Sequence, residues 1–171
     1  MHLKKRGFTI IELVVVLSIL AILSGVLVPR MKNYMRAEKD AKRLADIKRI
    51  RNAVEQYHMD RGEYPAPNPN SNFGGWEVSS DGTFLRELVD TGYLDESLTD
   101  PVNDSTYHYR YFVYEAGSYS CQGGSKYYVL GVRNFESSDF AKRNKGFFKC
   151  AGRNWGNEFA YVTGGGTMRD N

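Results

Sequence analysis

The residue with the sharpest chemical implication lies near the N-terminus. Glu12 is the sole charged side chain between Phe8 and Val28, a run of 21 residues. A carboxylate at membrane depth costs on the order of 2.5–3.5 kcal/mol even on lenient insertion scales. Such a group needs a partner. Elsewhere the candidate chemistry is thinner. Cys121 and Cys150 are the only cysteines. In an oxidising compartment they would be joined, and in a reducing one they would be small buried hydrophobes. Past residue 7 the chain holds two histidines, His58 and His108, with no carboxylate or cysteine at ligand spacing. Neither is expected to hold a metal. No Gly-x-Ser-x-Gly, phosphate loop or paired-acid motif is present, and no enzymatic activity is expected. Residues 142–155 interleave Lys142, Arg143, Lys145, Lys149 and Arg153 with Phe147, Phe148 and Trp155. That mixture could bind a single strand by charge and stacking. A solvated loop whose aromatics belong to the core is the preferred reading, and nucleic-acid binding is not expected.

The segment around Glu12 has its own logic. Residues 2–6 (His-Leu-Lys-Lys-Arg) form a short basic leader, and the apolar run that follows would span roughly 30 Å as a helix, the thickness of bilayer hydrocarbon. The basic residues should stay on the cytoplasmic side and the remainder of the chain outside. An ordinary secretory signal would have a shorter apolar region followed by a small-residue cleavage site. Here Val28-Pro29-Arg30 leads straight into a long amphipathic pattern. A plain uncleaved anchor leaves Glu12 unexplained. The net charge of +3 is also local: Lys4, Lys5 and Arg6 account for three of the 23 basic residues, leaving 20 against 20 acidic ones. Global charge therefore points to no acidic partner.

The elements beyond the membrane follow from periodicity. From Arg30 to about Arg61 there is no Gly or Pro, and Leu44, Ile47, Ile50, Val54 and Tyr57 recur at three- and four-residue spacing as one apolar stripe. Lys39, Lys42, Arg43, Lys48, Arg49 and Arg51 are read as a solvated face with local ion pairs. Gly62 should end the helix. Residues 64–80 are loop, and a short helix is expected over 82–91 behind an Asp81 cap. After a turn at 100–104 the period becomes two, giving strands over 107–114 and 126–135 and a third over 158–163. The glycine-rich end from Gly164 reads as a mobile tail. A long helix whose stripe is covered by a small antiparallel sheet is an α+β fold.

The segment Lys5-Arg6-Gly7-Phe8-Thr9-Ile10-Ile11-Glu12-Leu13 resembles the processing motif of type IV prepilins and type II secretion pseudopilins. A basic leader ending in Gly, an apolar run starting at once and one buried acid coincide there. The resemblance implies cleavage after Gly7 by a prepilin peptidase, methylation of Phe8, and pairing of Glu12 with the N-terminal amine of a neighbouring copy. It divides the chain into a leader (1–7), a membrane or filament-core helix (8–29) and a pilin head (30–171), with Gly25 and Pro29 as interruptions of the helix. Gly-Glu-Tyr-Pro (62–65), Gly-Tyr-Leu (92–94), Asp-Pro-x-Asn (100–103) and Tyr-x-Tyr (107–109) are similar in order to the major pseudopilin, whereas residues 115–171 depart from it. Type IV pilins often close the C-terminal loop by a disulfide, here Cys121 to Cys150. Major pseudopilins often hold Ca²⁺ in a distal loop; Asp100, Asn103 and Asp104 are the candidates here, and a backbone-bonded Asx turn is the competing reading. No cofactor is otherwise implied. The expected partners are further copies of the chain, the peptidase and an inner-membrane assembly platform. The expected location is the inner membrane before assembly, then a surface pilus or a periplasmic pseudopilus. A DNA-uptake pilin is a more remote alternative.

Overall fold

The computed structural model describes residues 9–166, the side chains of residues 26–29 excepted. It divides at Arg36/Ala37, inside a single helix α1 (Ile10–Arg61). The backbone stays helical through Gly25 and Pro29, so neither ends the helix. Gly62 does: its left-handed φ of 76° is what a helix C-terminus asks of the following residue, and its N–H donates to the His58 carbonyl at 2.8 Å.

The head unit continues with β1 (Glu77–Val78), α2 (Arg86–Asp90), β2 (Tyr109–Tyr114), β3 (Tyr127–Val132), α3 (Ser138–Arg143), β4 (Lys149–Cys150), β5 (Arg153–Asn154) and β6 (Tyr161–Gly165). β1, β2, β3 and β6 form one antiparallel sheet in that order, and β4 and β5 form a small hairpin. Helix plus sheet is the expected α+β arrangement. Tyr109 and Tyr111 of β2 share a face with Tyr128, Leu130 and Val132 of β3, packed on Ile47, Ile50, Ala53, Val54 and Tyr57 of α1. Their rings are buried while their hydroxyls reach polar partners: Tyr109 donates to Asp46 at 2.9 Å and Tyr128 to Glu55 at 2.8 Å. A strand rich in tyrosine can thus both fill the core and bond to the helix crossing it.

The opposite face is buried too. Val129, Tyr127 and Val162 contact Trp76, Phe148, Trp155 and Phe159, so all six residues of β3 are enclosed. Much of this second layer comes from residues 115–160, where sequence periodicity is weakest.

Three expectations are corrected. The helix expected over 82–91 is only Arg86–Asp90, because Gly82 and Leu85 take left-handed φ values of 83° and 46°. Asp81 instead accepts from the N–H and hydroxyl of Thr83 as a local turn. The third strand is displaced to Tyr161–Gly165, so Gly164 and Gly165 pair with Val129 and Tyr128 and are not tail. Glycine is required at 164, where a Cβ would collide with the Tyr128 carbonyl oxygen and the Phe148 ring; at 165 a Cβ would press on the Glu55 carboxylate and the Tyr128 ring. Residues 167–171 lie outside the described residues.

The third correction concerns Arg43, which is no surface cation. It has no exposed side-chain area. Its Nε and Nη2 donate to the two carboxylate oxygens of Asp100 at 2.7 and 2.9 Å, its Nη1 to Asp40 at 2.6 Å, and Nη2 also to Glu136 at 3.1 Å. Asp40 in turn accepts from the backbone N–H groups of Glu136 and Ser137. Removing one member of a buried ion pair leaves uncompensated charge, at about 3–5 kcal/mol. Arg43→Ala should therefore lower the unfolding free energy of the full chain in detergent by about that amount, measured by chemical denaturation.

Glu77 is a second buried charge, handled differently. Its Oε1 accepts from the Leu85 N–H at 2.6 Å, while Oε2 is buried with no partner among the described residues. Burial, reinforced by the charges of Asp81 and Glu87, pushes its pKa up to about 7 against the Leu85 hydrogen bond. A carboxyl raised in the folded state favours folding fully below its unfolded pKa near 4.5 and loses that contribution as pH rises towards 7. Glu77→Gln should be near neutral at pH 4.5 and stabilising at pH 8, by roughly 2–3 kcal/mol at most, in denaturant titrations at both pH values.

Candidate assembly segment

The N-terminal unit presents an apolar helix to its surroundings. Ile10 and Ile11 are 84% and 71% exposed, and the large apolar residues from Leu13 to Leu23 are about half exposed or more. The helix is long and apolar enough to cross a membrane, and none of that stretch is buried within the chain. Met31, Tyr34 and Met35 extend the exposed apolar surface. A helix apolar on all sides has to be covered by lipid or by protein.

Glu12 sits in the first turn of this helix. Its Oε2 accepts from both the backbone N–H and the hydroxyl of Thr9, at 2.9 and 2.8 Å. The Thr9 hydroxyl oxygen accepts in return from the Glu12 N–H at 3.3 Å. This is a reciprocal capping box, closing donors that the first helical turn cannot use internally. It gives Glu12 a partner within its own chain, which reading Glu12 alone had missed. The signal was present as Thr9-Ile10-Ile11-Glu12, the Thr-x-x-Glu spacing of such a box. Among the described residues Oε1 has no donor, so one oxygen remains available to a second partner. Gly7 and Phe8, the expected processing junction, lie outside the described residues.

The other candidates fall in the head. Cys121 and Cys150 are joined as a disulfide with a Cα–Cα distance of 4.8 Å, linking the segment after β2 to β4. Asp100, Asn103 and Asp104 do not form a cation cage. Asp100 is bound by Arg43 and also accepts from the N–H groups of Val102 and Asn103. Asn103 exchanges hydrogen bonds with Ser79, and Asp104 accepts from the Thr106 and Tyr107 N–H groups. No group of three or more His, Cys, Asp or Glu side chains suited to a metal occurs among the described residues. The Asx-turn alternative matches these bonds, with a guanidinium in the position of the positive charge.

His108 is buried and serves packing: its Nδ1 meets the Asp104 carbonyl at 3.0 Å and its Nε2 accepts from Arg110. Burial, helped by the Arg110 charge, holds its pKa below the usual histidine value. His58 stacks on Tyr64. Of the aromatics in 142–155, Phe148 and Trp155 are core, whereas Phe147 is 65% exposed. Arg153 pairs with Glu158 through two 2.8 Å bonds and lies over the Tyr119 and Trp155 rings.

The chain therefore combines a membrane-length apolar helix carrying one capped acid with a helix-backed antiparallel sheet. Residues 2–28 match the family model described as the prokaryotic N-terminal methylation motif. The chain is 39% identical over 66 residues to type II secretion system core protein G of Escherichia coli, covering 38% of this chain and 45% of that protein. It is 24% identical over 99 residues to the type IV major pilin protein PilE1 of Neisseria gonorrhoeae, covering 57% and 55%. A fimbrial protein of Neisseria meningitidis is 30% identical over 71 residues, 42% of each chain. The chain thus spans about half the length of these relatives or less. No solved structure matches it. The chain carries the N-terminal methylation motif and is similar, over that segment and part of the head, to type IV pilins and type II secretion pseudopilins.

With Asp100 neutralised by Arg43, calcium has little to add at the 100–104 turn. The melting temperature of the full chain in detergent should be the same in millimolar Ca²⁺ as in EDTA (on the scale that separates Ca²⁺ sensors from weak sites). A clear rise with Ca²⁺ would overturn this reading of the turn.

Proposed function

We propose that this chain is a structural, non-enzymatic subunit of a type IV pilus-like filament, cut after Gly7 by a prepilin peptidase and assembled through α1. The observation that carries the reading is the pairing of an exposed, membrane-length apolar helix with a single capped acid, Glu12, at its start. Before assembly, lipid covers the helix, with the basic leader on the cytoplasmic side and the head outside. In the filament, helices of neighbouring copies cover it instead. Glu12 Oε1 then accepts from the methylated amine of a neighbour's Phe8, while Oε2 keeps its bonds to Thr9. In a low-dielectric bundle only the register that brings the two charges together neutralises them, so the acid selects the docking position.

A major-type pseudopilin of a type II secretion system is the alternative, supported by the likeness to core protein G. Both readings use the same segment and the same chemistry and differ in the inner-membrane machinery that adds subunits. Electron microscopy of cells labelled for this chain separates them: a pilus reading requires label along surface filaments.

Glu12→Ala should leave insertion and processing intact, with a mature N-terminus at methylated Phe8, but reduce sheared-filament yield by about tenfold or more, as losing a buried charge pair implies. Normal yield from this variant would overturn the pairing.

A further inference from the structure

The head is nearly balanced in charge but not evenly charged. On one side of the sheet, Leu94 and Leu98 are buried in the layer against α1, and between them Asp95 and Glu96 are exposed. Asp90 lies close by in sequence, its carboxylate 62% exposed and held only loosely by Arg86 at 3.6 Å. On the other side, Phe148 is buried with Trp155 in the second layer, and around it Lys142, Arg143, Lys145 and Lys149 are exposed. Lys142 approaches Asp139 at 4.0 Å with both groups almost free in solvent. Among the described residues neither Lys145 nor Lys149 has a carboxylate partner. Phe147 stands exposed amid these cations, with the Lys149 ammonium 5.5 Å from its ring centre. An exposed aromatic beside an unpaired lysine, in a segment of further exposed cations, is a surface that gains by being covered with something acidic.

We propose, resting on the filament reading above, that the basic ridge around Phe147 docks on the Asp95–Glu96 turn of a second copy of this chain. Charge complementarity identifies the occupant. The two surfaces flank opposite layers of the sheet, so one head offers both halves of the contact at different places. Such a heterologous contact does not close on itself as a two-fold pair but repeats from copy to copy, as a filament requires. Opposite charges steer each incoming head and fix its rotation, and like charges reject the reversed orientation.

The test uses full-length chain produced with its assembly machinery. Lys145→Glu with Lys149→Glu, and separately Asp95→Lys with Glu96→Lys, should each lower filament yield by about tenfold, and the four changes together should restore most of it. All four side chains are exposed, so an unchanged melting temperature in detergent checks that each variant folds. Zero-length carbodiimide treatment of wild-type filaments should join Lys145 or Lys149 of one copy to Asp95 or Glu96 of the next, located by mass spectrometry. Unchanged yield in both reversed variants, or a combined variant no better than either, would overturn the contact. So would normal assembly of Lys145→Glu/Lys149→Glu with loss of salt-sensitive single-stranded DNA binding, which assigns the ridge to nucleic acid. If wild-type filaments depend on Glu12 but not on these charges, the contact fails and the filament reading stands. If no Glu12-dependent filament forms, both fail.

Discussion

Arg43 brings a permanent positive charge into a place with no exposed surface, and the head is arranged so that this charge is never alone. Its guanidinium joins three stretches far apart in sequence: Asp40 one turn back on α1, Asp100 in the turn before β2, and Glu136 in the loop before α3. Tyr107 covers it, its ring centre 5.0 Å from the guanidinium carbon. Each charge would cost several kcal/mol to bury unpaired. Any arrangement that slides α1 against either loop therefore separates charges that cannot reach water. The apolar contacts further along the same helix face tolerate small shifts; the ionic end does not.

The sheet hangs from that anchor and is enclosed on both faces. α1 covers one face through aliphatic packing and through tyrosine hydroxyls that bond back to Asp46 and Glu55. The C-terminal lobe covers the other through Trp155, which is fully buried. That lobe has little regular structure to hold it, only a two-residue hairpin and a short helix. The Cys121–Cys150 bond closes a separation of 29 residues across it, contributing on the order of 3–4 kcal/mol in the chain-entropy account. Close approach finishes the work: glycine at 164 lets β6 lie against β3 where any side chain would collide.

The N-terminal unit obeys a different constraint. Its apolar surface is not covered by the chain itself, so its stability belongs to whatever surrounds it. The capping box lets one carboxylate survive there. Thr9 supplies two donors to Glu12, easing the cost of an acid at the helix start without cancelling its charge. The carboxylate is therefore partnered within its own chain through Oε2, while Oε1 has no donor among the described residues.

How much of this was legible depended on how local the cause was. The apolar run, the lone Glu12, the α1 stripe and the period-two strands are set by neighbours one to four residues apart, and periodicity exposes such causes directly. The Thr-x-x-Glu box was equally local. Arg43 looked like its fellow basic residues because its partners lie 57 and 93 residues away, and no spacing rule reaches that far. The glycine run read as tail because the backbone it must approach belongs to another strand. Asp100 resembled a metal ligand in isolation, and only the fold shows that a guanidinium already holds it. By itself, then, the sequence determined the membrane-length apolar helix, its single acid and the α+β plan, since these follow from hydrophobic period and membrane thickness. Tertiary structure alone decided which charges are buried, how the C-terminal lobe closes the sheet and where the exposed charges are left, because those depend on contacts between residues the chain brings together only by folding.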